Sequence, residues 1–267
     1  MERYCGDDRL RHHVVFERKT DMSCVFCGAH AETREHTPSK VFLSKPYPEN
    51  LSVVPSCGEC NNSFSSDELY TFLVIKLLVD GYFPQLNVVD SYVHGKLKDT
   101  REGIDAINST NMYFNKKVKD KNCIFFDARV DRVLKKLAVC HATHDLSDGY
   151  YKFSRGFRMS LCCFDILPNM SESEKDLIDS IEPVLLFPEI GSMGYEHIFA
   201  LDTKLTSVET GEEKIIQSCV IIWNEVQDGS YRYICAHKID ALLVKIVISE
   251  FLYAVVIFTE VENESER

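Results

Sequence analysis

Cys24-Val25-Phe26-Cys27 and Cys57-Gly58-Glu59-Cys60 are the stretches on which the reading of this chain turns. Each CxxC sets two thiols on one side of a tight turn, and two such turns make a closed tetrahedral site for Zn²⁺. Gly28 follows the first pair, where the turn wants a residue that tolerates a left-handed backbone. The competing reading of a CxxC is a redox pair opening a helix after a buried strand, and neither pair has that context. The other cysteines differ. The chain has 11 cysteines, an odd number that cannot close a disulfide framework. Cys5, Cys123, Cys140, Cys219 and Cys235 stand alone and Cys162 and Cys163 are adjacent, so these read as core or surface thiols. The expected compartment is reducing.

Between the pairs lie 29 residues, more than a compact zinc ribbon needs. They contain Arg34-Glu35-His36-Thr37-Pro38-Ser39-Lys40 and Pro48-Glu49-Asn50-Leu51, leading into Ser52-Val53-Val54-Pro55. Asn61-Asn62-Ser63-Phe64-Ser65 follows the second pair directly. In this order and spacing the segment resembles the HNH endonucleases, the ββα-metal family, in their four-cysteine form. The family pattern is C-x-x-C, an acidic residue or His before the general-base His, an Asn-Leu step, and C-x-x-C-N. The matching residues are Cys24 and Cys27, Glu35-His36, Asn50-Leu51, and Cys57 and Cys60 with Asn61. The resemblance covers about residues 20–80, under a third of the chain.

What it implies is a metal-dependent hydrolysis of DNA phosphodiester bonds, with RNA left open as a substrate. A His titrates near neutrality and can take the proton of an attacking water, and a cation can take the charge that develops on the leaving oxygen. The resemblance assigns His36 as that base and Asn50 as the residue that orients its ring. It assigns Glu35 and Asn61 to a catalytic divalent ion, Mg²⁺ or Mn²⁺, which prefers oxygen ligands. The zinc held by Cys24, Cys27, Cys57 and Cys60 is then architectural. Adjacent residues on a strand point to opposite faces, so the resemblance also implies a distorted strand that lets Glu35 and His36 reach one site. Two positions depart from the family: Glu35 stands where Asp is commoner, and Ser65 stands where a further strong ligand often lies. A bacterial or phage defence or restriction nuclease is the setting suggested. The readings in competition are a catalytically silent zinc-finger module that binds nucleic acid or protein, and a nuclease subunit active only with a partner.

Composition sets the frame. Of the 267 residues 45 % are hydrophobic and 27 % charged, which excludes a wholly disordered or fibrous chain. The formal charge of −11 hides a gradient: residues 1–80 carry −3, residues 81–160 carry +5 and residues 161–267 carry −13. A basic middle suits a nucleic acid backbone, and the acidic last third suits a protein partner or a homo-oligomer contact. Met1 to Lys19 lacks the apolar stretch of a signal sequence. The most apolar run, Ala241 to Phe258, holds Lys245 and Glu250 and reads as buried strand, so no membrane association and a cytoplasmic location are expected.

The expected fold is α+β. Residues 1–80 would form a treble-clef or ββα-metal finger ending in a long helix, and residues 81–267 an accessory domain of helix and antiparallel sheet for substrate or partner binding. Ser65 and Ser66 with Asp67 and Glu68 read as the helix start, and Gly81 as its stop. Lys116, Lys117, Lys119 and Lys121 fall in a segment that reads as a basic loop. A helix is expected from about Ala128 to His144, on which Arg129, Arg132 and Lys136 share one face. With the four lysines these are the candidate contacts to DNA backbone. His141 and His144 lack a supporting acidic or cysteine ligand and read as helix C-terminal residues. Strands are expected over 153–164, 196–202, 214–226, 231–237 and 244–258, with a helix near 171–181. Asp228-Gly229 marks a hairpin turn.

Overall fold

The computed structural model describes residues 23–146, 157–188, 193–206 and 211–260. Cys5, the Met1–Lys19 reading and the start of the 153–164 strand lie outside them. β1 (Thr33–Thr37) and β2 (Ser52–Ser56) pair antiparallel residue for residue, with Glu35 opposite Val54 and His36 opposite Val53. Helix α1 (Gly58–Tyr82) begins as soon as β2 ends.

That start is eight residues before the expected one. Cys57 is the N-cap, its sulfur accepting from the Cys60 N–H at 3.4 Å, so the thiols that make the ligand turn also begin the helix. Ser65 and Ser66 lie within it, exposed on its surface. The helix does end near Gly81, but that glycine serves a close approach: a Cβ there would lie 2.5 Å from the Phe114 ring. Tyr70, Leu73, Val74, Ile75, Leu78 and Val79 are buried along α1, which places it between other helices.

Helices α2 (Ser91–Asp99), α3 (Arg101–Lys119) and α4 (Ala128–Leu146) complete the helical part, with α1 packed against both α3 and α4. Asp90 and Thr100 cap α2 and α3 through the Val93 and Gly103 N–H groups. Lys116, Lys117 and Lys119 therefore sit in the last turn of α3 and not in a loop, a place that favours cations through the helix dipole. The expected 128–144 helix is present, and Val130, Leu134, Leu137 and Ala138 are buried as its spacing implies.

The remainder is antiparallel sheet with one short helix. β3 (Phe157–Ile166), β7 (Asn224–Gln227), β8 (Tyr231–His237), β9 (Ala241–Ile248) and β10 (Leu252–Glu260) form one sheet in the order β3-β10-β9-β8-β7. Helix α5 (Glu172–Asp179) starts at a capping box on Ser171. β4 (Glu182–Pro183), β5 (Ile198–Thr206) and β6 (Glu213–Ile221) form a second sheet in the order β4-β6-β5.

Two expected strands are in fact pairs. The 214–226 run breaks at Ile222 and Trp223, so β6 and β7 belong to different sheets. The apolar run 241–258 folds back at Ser249 and Glu250, both at positive φ (57° and 47°), into the β9–β10 hairpin. Lys245, buried on β9, reaches Glu182 at 2.5 Å and two backbone carbonyls of the α5 end, so its charge is met inside the protein. Asp228-Gly229 turns the β7–β8 hairpin with Gly229 at φ 64°. Among the described residues no helix is long and apolar enough to cross a membrane.

The fold is thus α+β; one apolar core joins the finger, the helices and the five-stranded sheet, and a smaller cluster around Ile221, Ile234 and Ala236 lies at the second sheet. The larger core runs from Val25, Leu51 and Val54 of the finger through Leu73, Leu78, Leu134 and Leu137 to Leu242, Ile246 and Val256 of the large sheet. Each such side chain contributes about 1.5–3 kcal/mol on burial, so the finger is anchored on the sheet-bearing half through α1 and α4.

Candidate metal centre

The first ligand turn is built by its backbone. Cys24 N–H donates to the Ala29 carbonyl at 2.6 Å and Gly28 N–H to the Cys24 carbonyl at 2.8 Å, with Gly28 at φ 76°. Val25 N–H donates to the Pro55 carbonyl of β2, which fixes the turn against the hairpin. The second turn is the start of α1, where Gly58 N–H donates to Glu32 Oε1 at 2.8 Å. The sulfurs of Cys24, Cys27, Cys57 and Cys60 all lie within 4.8 Å of one another.

This cluster could hold a metal ion. A tetrahedral thiolate site with metal–sulfur bonds of about 2.3 Å has sulfurs about 3.8 Å apart, and Cys27 Sγ lies 3.7 Å from Cys57 Sγ. The titration behaviour agrees. Burial acts to raise the Cys24 thiol, but backbone hydrogen bonds from Cys57, Cys27 and Phe26 bring it down to about 7. Burial and then the sulfurs of Cys27, Cys57 and Cys24 push Cys60 up. Ionised Cys24 opposes ionisation of Cys60, and a cation among the four sulfurs would relieve that repulsion.

The residues beside the cluster divide between two faces of β1. Glu35 is buried on the face turned toward the helices. Its Oε1 accepts from Lys136 Nζ of α4 at 2.8 Å, and the same ammonium reaches Glu68 Oε1 of α1 and Ser39 Oγ, each at 2.6 Å. Ser39 Oγ in turn donates to Glu68 Oε1 at 2.5 Å. Burial holds the Glu35 carboxyl above its usual range, and Lys136 opposes that rise. His36, half-buried, stands on the opposite side of the strand. The expected distortion is absent: β1 keeps its register throughout, so Glu35 and His36 do not converge.

Asn61 is brought to the hairpin. Its Nδ2 donates to Thr33 Oγ1 at 3.2 Å and to the Arg34 carbonyl at 3.0 Å, tying the first turn of α1 to β1 one residue before Glu35. Asn50 lies exposed at the end of the connecting loop, two residues before β2.

The basic stripe of α4 does share a face, but that face packs on α1. Arg129 Nε reaches Asp67 Oδ1 at 2.6 Å and its guanidinium lies over the Tyr70 ring. Arg132 pairs with the other Asp67 oxygen and covers Phe64. Lys136, expected on the surface, is 2 % exposed and enclosed by the Glu35 cluster, so it is no contact for a nucleic acid backbone. Lys117 is also engaged, donating to Asn169 Oδ1 at 2.7 Å and the Cys123 carbonyl at 3.1 Å. Lys116, Lys119 and Lys121 are exposed, and the first two border an open depression with Asn108, Asn111, Met112 and Asn115.

The Lys136–Glu35–Glu68–Ser39 cluster has no local sequence signature. Its partners lie 68 to 101 residues from Lys136 in the chain, and a lysine at helical spacing from two arginines carries no local mark of burial. His141 shows the same limit: it is wholly buried, accepts from or donates to Tyr231 OH at 2.7 Å and stacks on Tyr233. Compared with known proteins, the chain matches no family model, no curated protein and no solved structure.

Proposed function

We propose that this protein is a metal-dependent endonuclease of the HNH type, acting on DNA, with a zinc ion held by Cys24, Cys27, Cys57 and Cys60 as its architectural centre. The observation that carries the reading is the order hairpin, ligand turn, helix: β1 and β2 pair closely, the four thiols join the hairpin to α1, and Asn61 is bonded to Thr33 and Arg34 of β1, two residues before His36. His36 in this reading accepts the proton of the attacking water, and Asn50 holds the ring in its productive orientation. Asn61, with its amide hydrogens committed to β1, presents the side-chain oxygen to a divalent ion such as Mg²⁺ or Mn²⁺. That ion, when bound, supplies stabilisation of the charge on the leaving oxygen. Glu35 joins it as a ligand only by leaving Lys136.

The Glu35–Lys136 pair favours a second reading, in which the finger is a catalytically silent zinc module that binds nucleic acid or protein. One experiment separates the two. Supercoiled plasmid is incubated with purified wild type and His36→Ala, with Mg²⁺ or Mn²⁺ and with EDTA, and the zinc content of both proteins is measured. Nicking by wild type that needs the divalent ion and vanishes in a zinc-loaded His36→Ala supports the nuclease. Equal cutting by both proteins removes His36 from the base role, and a folded, zinc-loaded wild type that never cuts favours the silent module.

A further inference from the structure

The β4-β6-β5 sheet has two unlike edges. One is closed by β4, only two residues long and ending in Pro183, which has no N–H to offer another strand. The other is β5, nine residues long and paired with β6 from Ile198 to Thr206 without a bulge. Residues 199–206 are exposed along their whole length, and among the described residues nothing pairs with the outer side of β5. An edge this long, straight and free of proline is the kind that recruits a further strand, and natural edges usually carry an obstacle to it. The only lysine of β5 is Lys204, and its charge is matched two residues away by Asp202.

We infer that β5 pairs antiparallel with β5 of a second copy of this chain, about a two-fold axis at Thr203. The side-chain pattern fits a copy of itself. With Thr203 opposite Thr203, Asp202 stands across from Lys204 of the second copy, and Lys204 from its Asp202. On the other face Leu201 stands across from Leu205 of the second copy, twice over. Both leucines are about half exposed in the single chain (45 % and 49 %). Cross-strand pairs of opposite charge and of apolar side chains are what stabilise an antiparallel edge, and an isologous contact makes each pair twice. The charged groups are already held on the hairpin: Asp202 Oδ1 accepts from Gln217 Nε2 at 3.0 Å, and Lys204 Nζ lies 2.7 Å from Glu213 Oε2. The product is a six-stranded sheet, β4-β6-β5 and its two-fold mate. Phe199, Leu201, Leu205 and Ile216, exposed in the single chain, lie on one face of each half.

The test is the mass of the full chain in solution, by sedimentation across the micromolar range, for wild type, Asp202→Lys, Lys204→Glu and an equimolar mixture of the two variants. Wild type is expected to dimerise. Each single variant sets like charges opposite each other twice and is expected to dimerise at least about tenfold more weakly. The mixture restores both opposite-charge pairs and is expected to dimerise as wild type does, which also shows that both variants are folded. A wild type that stays monomeric overturns the inference. So do single variants that dimerise as well as wild type, or a mixture that stays monomeric.

Discussion

Replacing Lys136 by methionine removes the cation that meets Glu35 and Glu68 on the buried face of the β1 hairpin while keeping most of the side chain's volume, so the response is one of charge and not of cavity. Lys136 Nζ lies 2.8 Å from Glu35 and 2.6 Å from Glu68. At an effective dielectric of about 20 each attraction is gross about 6 kcal/mol, most of which offsets the removal of three charges from water. Deleting the cation strands Glu35, and the expected loss of unfolding free energy near neutral pH is about 3–5 kcal/mol. The loss depends on pH with a definite sign. Glu35 already has its pKa raised above the ordinary 4.5 by burial, against the pull of Lys136. A carboxyl with a raised folded pKa favours the fold while protonated, and its penalty grows as pH rises from the unfolded value through the folded one. Without Lys136 that penalty is larger, so the gap between wild type and Lys136→Met should be small in acid and widen toward neutrality. Urea unfolding followed by circular dichroism at several pH values between 4 and 7.5 reads both quantities. Glu35→Gln in the Lys136→Met background should recover part of the loss. A neutral-pH loss below about 1 kcal/mol that does not vary with pH would refute the assignment of Lys136 as the cation of a buried cluster.

Two further outcomes follow from the same geometry. Cys57→Ala removes one thiol of the four-cysteine cluster and the N-cap of α1 together; a chromogenic chelator should detect zinc in wild type and none in this variant, and EDTA should lower the thermal midpoint of wild type but not that of the variant. Tyr231→Phe takes the hydroxyl from His141 Nε2, a wholly buried ring, and should cost about 1–3 kcal/mol in denaturant unfolding, with no change in zinc content.

The four-cysteine cluster is legible in the sequence because its information is local. Two residues of separation within each CxxC put two thiols on one turn, and Gly28 supplies the left-handed residue that the turn uses. The Asp228-Gly229 hairpin, the helix near 171–181 and the buried face of α4 are legible for the same reason: each rests on neighbours within a few positions. Boundaries fail where a second local feature overrides the one that the pattern shows. Ser65 and Ser66 look like a helix start, yet Cys57 caps the helix first. Residues 241–258 look like one strand because hydropathy does not record a reversal of direction at Ser249 and Glu250.

Charge is where the chain and the folded structure differ most. Composition determines how many charges lie in each third of the protein, and spacing determines that Arg129, Arg132 and Lys136 share a helix face. Only the packing of α4 against α1 and β1 decides that this face looks inward, with two arginines clamped on Asp67 and a lysine sealed among Glu35, Glu68 and Ser39. Helical periodicity reports which side chains point the same way. What lies in that direction is set by chain segments some seventy to a hundred residues distant, and desolvation acts on that surrounding, so the same lysine is a solvated cation or a buried one according to the fold alone.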